Sequence, residues 1–179
     1  MEVLILTGSP HEKGSTALLA EKFCAGAQEA GHHITRFDTA KMNINPCHGC
    51  LYCKSHDQQC IQKDDMQAIY QPLLTADVVV FVTPLYYFGI AAQLKAAIDR
   101  FYAVNPTIKT QSKKAVLLAA CGGEEDGVMD SLVANYKAIL HYLKWQDIGM
   151  VLATGAHSKT DIENGEFPKE AKKLGLTIK

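Results

Sequence analysis

The stretch PCHGCLYCKSHDQQC, residues 46–60, holds four of the six cysteines in a chain of 179 residues. Cys47, Cys50 and Cys53 follow one another at two-residue intervals, and Cys60 comes after six more. Three thiolates spaced in that way wrap one face of a cubane iron–sulfur cluster, and a fourth closes it. Zinc suits the run less well, because four-cysteine zinc sites come as two separated C-x2-C knuckles. Disulfides suit a secreted chain, and nothing at the N-terminus reads as a secretory segment, since Glu2 follows Met1 and the first apolar run is short. A third use needs no metal: free thiols that shape a loop beside some other site.

Three further stretches have the composition of ligand loops. GSPHEKGST, residues 8–16, offers hydroxyls at Ser9, Ser15 and Thr16 just ahead of a helical pattern, where free backbone N–H groups attract a phosphate. It is no Walker A loop, because the order is Lys13-Gly14-Ser15, and no G-x-G-x-x-G fingerprint, because only Gly8 and Gly14 are present. An ordinary turn with Ser15 as helix cap fits equally well. TPLYYFG, residues 83–89, crowds three rings behind Pro84, a surface for stacking a flat aromatic ligand or for capping the core. CGGEEDG, residues 121–127, lets backbone approach a ligand at Gly122 and Gly123, or is a flexible acidic turn. A phosphate at the first stretch and a flat ring system over the second describe flavin mononucleotide, FMN.

These stretches need a scaffold, and the pattern supplies one. Short apolar runs at residues 3–8, 32–40, 76–83, 114–120 and 147–155 read as strands. Helical patterns fall between them. One runs from Ser15, with Leu19, Phe23, Ala27 and Ala30 on one face and Gly31 as its stop. Others open at Asp64-Asp65-Met66, where the acidic first turn suits the helix dipole, and cover 91–103 and 128–145, with a short last helix at 169–174. The alternation predicts a doubly wound α/β fold, a parallel sheet with helices on both faces. Ligands of such sheets bind beyond the carboxyl ends of the strands, where the three stretches fall.

Length predicts a single domain over 1–179. Apolar residues at 47%, charged residues at 21% and a net charge of −1 favour neither nucleic acid nor a membrane surface as partner. The expected compartment is the cytoplasm, and Cys24, on the first helix, is expected to be packing.

LTGSPHEKGST, CIQKDDM, ADVVVFVTPLYYFGIAAQLKAAIDRF and the cysteine run together resemble the flavodoxin-like NAD(P)H-dependent FMN reductases over about residues 1–155. The resemblance implies a flavodoxin-like five-stranded sheet in order 2-1-3-4-5 and a homodimer or larger homo-oligomer. It implies FMN bound with its phosphate at Ser9, His11, Ser15 and Thr16. The ring and ribityl chain would meet Pro84, Leu85, Tyr86, Tyr87, Phe88 and Gly89, with Cys121, Gly122 and Gly123 on the far side. His11 stands where the family often has Arg, and Asp99-Arg100 matches the family pattern, read here as a helix-surface ion pair or dimer contact. No side chain is assigned as acid or base, because the flavin carries the chemistry.

The implied activity is transfer of reducing equivalents from NAD(P)H through FMN to a flavin, quinone or similar small acceptor. Two alternatives stand beside it. One is an iron–sulfur flavoprotein, a subgroup with a compact cysteine motif of this kind, in which Cys47, Cys50, Cys53 and Cys60 would ligate a 4Fe–4S cluster and ferredoxin would deliver electrons. The other is a non-catalytic flavodoxin-fold redox sensor.

Overall fold

A computed structural model describes residues 1–179. The strands are β1 (Glu2–Thr7), β2 (His33–Asp38), β3 (Val78–Tyr86), β4 (Gly89–Ile90), β5 (Lys114–Ala120) and β6 (Gln146–Ala153). The helices are α1 (Ser15–Glu29), α2 (Tyr52–Ser55), α3 (Met66–Thr75), α4 (Ala92–Arg100), α5 (Asn105–Ile108), α6 (Asp130–Leu143), α7 (Lys159–Ile162) and α8 (Glu166–Thr177). The long strands pair in parallel in the order β2-β1-β3-β5-β6, and the two-residue β4 folds back antiparallel on β3. With β4 set aside, this is the expected 2-1-3-4-5 order. No helix is long and apolar enough to cross a membrane.

Alternation along β1 divides the core in two. Val3 and Ile5 face α1 and α8 with Val78, Val80 and Val82, while Leu4 and Leu6 face α3, α4 and α6 with Val79 and Phe81. Both faces are buried, which is why these strands read as unbroken apolar runs. On the second face Phe81 lies among Phe101, Tyr136 and Trp145 with ring centroids 6.1–6.5 Å apart.

The tail is more ordered than the pattern 169–174 suggested. α8 extends to twelve residues and lies directly on α1. A Cβ on Gly26 would come within 2.1 Å of the Lys172 carbonyl oxygen, and one on Gly175 within 2.3 Å of that of Phe23. The two helices therefore meet backbone to backbone at a pair of glycines, a contact that any side chain would prise apart.

Other boundaries shift for identifiable reasons. α1 ends at Glu29, and Gly31 takes the left-handed conformation (φ 81°) expected of a helix stop. α3 begins at Met66, so Asp64 and Asp65 precede it, and their carboxylates serve the cysteine loop as well as the helix end. The segment 84–89 is not a loop. β3 continues through Tyr86, turns at Tyr87 and Phe88, and returns as β4.

Lys113 is buried, and its ammonium donates to the carbonyls of Leu74 and Ala76 at the end of α3. Burial, opposed only by Asp77, pushes its pKa down to about 8.

Candidate flavin site

At the carboxyl ends of the strands the sheet opens into two adjoining clefts. The larger, of about 830 Å³, lies between the loop after β1, the end of β3 and the loop after β6. Ser9, His11, Ser15, Thr16, Pro84, Leu85, Tyr86, Cys121 and Gly122 all line it. The second, of about 610 Å³, is lined by Leu85, Tyr87, Phe88, Cys121, Gly122, Gly123, Glu125 and Asp126. Leu85, Cys121 and Gly122 belong to both, so the clefts share a wall. Gly89 is half-buried in β4 and lines neither.

The loop after β1 is held by its own backbone. The His11 N–H donates to Ser9 Oγ at 3.1 Å and the Gly14 N–H to the His11 carbonyl at 3.2 Å. α1 then starts at Ser15, where Gly14, Ser15 and Thr16 line the cleft and the first-turn N–H groups have no intrahelical acceptor. Ser15 Oγ donates to the Ala156 carbonyl at 3.4 Å, tying this loop to the one after β6.

The charge of the two clefts differs. Around the larger stand His11, Lys13, His157 and Lys159, and its one carboxylate, Glu12, is engaged by Lys41 at 2.8 Å. The smaller carries Glu125 and Asp126 and no cationic side chain.

The aromatic hairpin is strained. Tyr87 and Phe88 both have positive φ, 45° and 62°, as the two central residues of a tight hairpin require. Asn and Gly are the usual occupants, and bulky side chains there cost energy. Two hydrogen bonds hold the turn. Thr83 Oγ1 accepts from the Ala91 N–H at 2.9 Å, and Ser131 Oγ, at the start of α6, donates to the Phe88 carbonyl. Tyr87 is wholly exposed (102%) and Phe88 largely so, above the smaller cleft.

Cys121 is buried at the junction of the clefts, where its thiol donates to the Gly123 carbonyl at 3.4 Å and burial pushes its pKa up. A Cβ on Gly122 would meet the His157 ring at 2.4 Å, so this position admits only glycine while His157 closes over it.

Sequence reasoning missed Ala156, His157, Ser158 and Lys159, which form the wall opposite the β1 loop. HSKT carries no motif of its own. Its position after the last strand, at the ligand-binding end of the sheet, is the one signal that points to it.

None of Cys47, Cys50, Cys53 and Cys60 lines either cleft. Their loop runs along α3 and the 3-10 turn Phe101–Val104, with Cys53 and Cys60 packed on the core and Cys47 and Cys50 exposed. All six cysteines are free, and no three His, Cys, Asp or Glu side chains converge closely enough for a single metal ion. Cys24, half-buried on α1, packs against the core as expected.

Asp99 and Arg100 act separately, which corrects the reading of a shared surface pair. Asp99 pairs with Lys95 at 2.6 Å on the surface of α4. Arg100 turns inward, 1% exposed, and forms a two-pronged ion pair with Asp64 at 2.7 and 3.0 Å.

The family model of the NADPH-dependent FMN reductases matches residues 1–158. The chain belongs to that family. The family match covers both walls of the larger cleft up to Ser158 and stops before α7 and α8. Among curated family relatives, an iron–sulfur flavoprotein of Methanocaldococcus jannaschii is 33% identical over 130 residues, 71% of this chain and 64% of the relative. An iron–sulfur flavoprotein of Archaeoglobus fulgidus is 27% identical across 99% of this chain and 79% of its own length. The fold is shared with an NAD(P)H:quinone oxidoreductase from Methanothermobacter marburgensis, at a TM-score of 0.79 and 22% identity, covering 98% of this chain and 96% of that one.

Proposed function

We propose that the chain is an FMN-binding oxidoreductase that takes reducing equivalents from NAD(P)H and passes them to a small acceptor such as a flavin or quinone. The observation that carries this reading is the polarity of the joined clefts. One end offers a helix N-terminus, hydroxyls and cations, and the other offers aromatic rings and no cation. FMN has the matching asymmetry, a dianionic phosphate on one side and an apolar ring system on the other.

Ser9, His11, Ser15 and Thr16 would hold the phosphate. Pro84, Leu85, Tyr86, Tyr87 and Phe88 would bound the ring, and Cys121, Gly122 and Gly123 would lie across from them. When bound, FMN supplies the acceptance and release of hydride. The chain's residues bind and orient. The first-turn amides of α1 would fix the phosphate, the Thr83 and Ser131 hydrogen bonds fix the hairpin, and the hairpin presents the Tyr87 and Phe88 rings at the smaller cleft. His11 stands where the family often has Arg, and Lys13 and Lys159 supply cationic side chains around the same cleft.

This reading includes one flavodoxin-like domain over 1–179, a cytoplasmic location and a homodimer or larger homo-oligomer. Family membership supports its oxidoreductase part.

Replacing Ser9 and Thr16 together by Ala tests the phosphate assignment. Each lost hydrogen bond to a charged group is worth about 1.5 kcal/mol, so FMN should bind at least about tenfold more weakly per hydroxyl. Unchanged affinity in a fluorescence titration would overturn the assignment. A colourless protein that takes up no FMN would overturn the function.

A second reading rests on the cysteine loop. Four free thiols in fourteen residues are a donor set for an iron–sulfur cluster, whose irons take one thiolate each. They do not suit one zinc, which needs four ligands about 2.3 Å from a single centre. The relatives named iron–sulfur flavoproteins support it. Here Cys47, Cys50, Cys53 and Cys60 would ligate a 4Fe–4S cluster, and ferredoxin would replace NAD(P)H as reductant. An anaerobic absorption spectrum with iron and sulfide analysis separates the two. A purely yellow, iron-free protein bleached by NADH or NADPH supports the first reading. A brown protein reduced by ferredoxin and by neither nicotinamide supports the second.

A further inference from the structure

The cysteine loop has almost no regular structure. Between Asn45 and Asp64 its one helical element is the single turn α2, and Gly49, Leu51, Asp57 and Gln58 all have positive φ. A loop of this length and strain needs something to close it, and hydrogen bonds at its base do so. Asp64 accepts from the Asn45 N–H at 3.0 Å and from the Met66 N–H at 3.3 Å. Asp65 accepts from the Asn43 N–H at 2.7 Å, and the Asp65 N–H donates back to the Asn43 carbonyl at 3.1 Å. The Gln62 amide donates to the Pro46 carbonyl at 3.1 Å.

Arg100 joins both ends of that base at once. One guanidinium nitrogen donates to the Asn45 carbonyl at 2.9 Å and to Asp64 at 2.7 Å, and the other donates to Asp64 at 3.0 Å. Arg100 and Asp64 are 1% and 4% exposed, so the pair works where water does not compete. Arg100 Nε is the one buried side-chain polar atom without a partner. Cys60, the last cysteine of the quartet, lies four residues before Asp64, half-buried and packed on the core that holds Tyr70.

We propose that Arg100, paired with Asp64, is the positioning residue of the cysteine loop: it closes the loop at its base and holds Cys60 in place for a thiolate-bound cluster. The loop is thereby preformed by the protein and does not depend on metal to shape it. The cluster part of this proposal rests on the second reading above. The closure part stands on the chain alone.

The test uses the full-length, FMN-loaded protein and compares wild type with two variants. Arg100→Lys keeps the charge but loses the planar fork that reaches Asn45 and both Asp64 oxygens. Arg100→Met combined with Asp64→Leu removes both charges together, which leaves no buried ion unpaired, and circular dichroism checks that the variant is folded. Alkylation of each cysteine by iodoacetamide is followed by mass spectrometry, with Cys24 and Cys121 as internal controls. In wild type Cys60 should react far more slowly than Cys47 and Cys50. In both variants Cys60 should speed up by about tenfold or more, the change expected for about 1.4 kcal/mol of lost closure, with Cys24 and Cys121 unchanged. Anaerobic reconstitution with iron and sulfide should give several-fold less iron per chain in the variants than in wild type.

Cys60 rates equal to wild type in a folded variant would overturn the proposal. So would acceleration of all six cysteines together, which marks a general structural role. Iron taken up equally by wild type and variants would overturn the cluster part, whereas no iron in wild type would overturn the second reading and leave closure to be decided by the Cys60 rates. Cys60 lines neither cleft, so its alkylation rate does not depend on FMN binding, and failure of the flavin reading is seen separately, in the FMN titration.

Discussion

The clefts above the sheet and the cysteine loop beside it both present small reactive groups on irregular backbone, but they are held in opposite ways. Each cleft wall follows directly from a long strand: the β1 loop, the β3–β4 hairpin, and the loops after β5 and β6. Their positions are set many times over by ladder hydrogen bonds and two buried cores. The cysteine loop leaves the sheet after β2 and does not return to it until β3. Its closure is concentrated in one buried ion pair and a few bonds around it. A site carried on strand ends should degrade gradually when altered, while a loop closed at one point should fail together.

The largest expected effect is therefore at Arg100. Arg100→Ala alone leaves the Asp64 carboxylate buried and unpaired, at a cost of about 3–5 kcal/mol. Asp64→Ala does the same to the guanidinium. Urea unfolding should show both losses clearly, whereas Ser9→Ala and Thr16→Ala should shift the midpoint little while weakening FMN binding. Equal destabilisation at the two regions would break the contrast.

Acid sharpens it. Burial works to raise the Asp64 carboxyl, but hydrogen bonds from Arg100 and Asn45 outweigh burial and hold it below the usual carboxylate range. A carboxyl depressed in the folded state adds stability above its unfolded pKa and loses it as pH falls through the folded value. The pair's contribution should thus be complete at neutral pH, begin to fall between about pH 5 and 4, and be gone only below the lowered folded value. Urea midpoints measured across that range should fall more steeply in wild type than in the Arg100→Met, Asp64→Leu double variant. Parallel curves would mean that the pair does not govern the acid response.

Sequence legibility follows the same division. The strands behind the clefts are short apolar runs whose period and length leave few alternatives, and the stretches 8–16, 83–89 and 121–127 fall at their ends as the pattern placed them. The β3–β4 hairpin was not visible, because Tyr87-Phe88 lacks the Asn or Gly that announces such a turn, and tertiary hydrogen bonds from Thr83 and Ser131 enforce it instead. His157 and Lys159 were not visible because a polar tail has no periodicity to read. The Arg100–Asp64 pair was hidden differently. The two residues lie 36 positions apart, each sits in a charged stretch that reads as surface, and only the packing of α4 against α3 brings them under the cysteine loop.

The smallest effect has the opposite sign and separates strain from closure. Phe88 sits at φ 62°, a conformation that costs a bulky L-residue about 1 kcal/mol and glycine almost nothing. Phe88→Gly should therefore stabilise the protein by about 1 kcal/mol in urea unfolding, less whatever packing its partly exposed ring contributes. The same change removes a ring from the smaller cleft, so the KM for a quinone acceptor should rise. A gain in stability together with a loss in acceptor binding would mean that the hairpin carries its strain on behalf of the site. The cysteine loop, held by its one ion pair, should offer no comparable substitution at Arg100 or Asp64 that improves the fold by loosening the site. A less stable Phe88→Gly protein would show that the ring earns its strained place by packing, and the strained hairpin would then belong with the loop as a structural rather than a functional device.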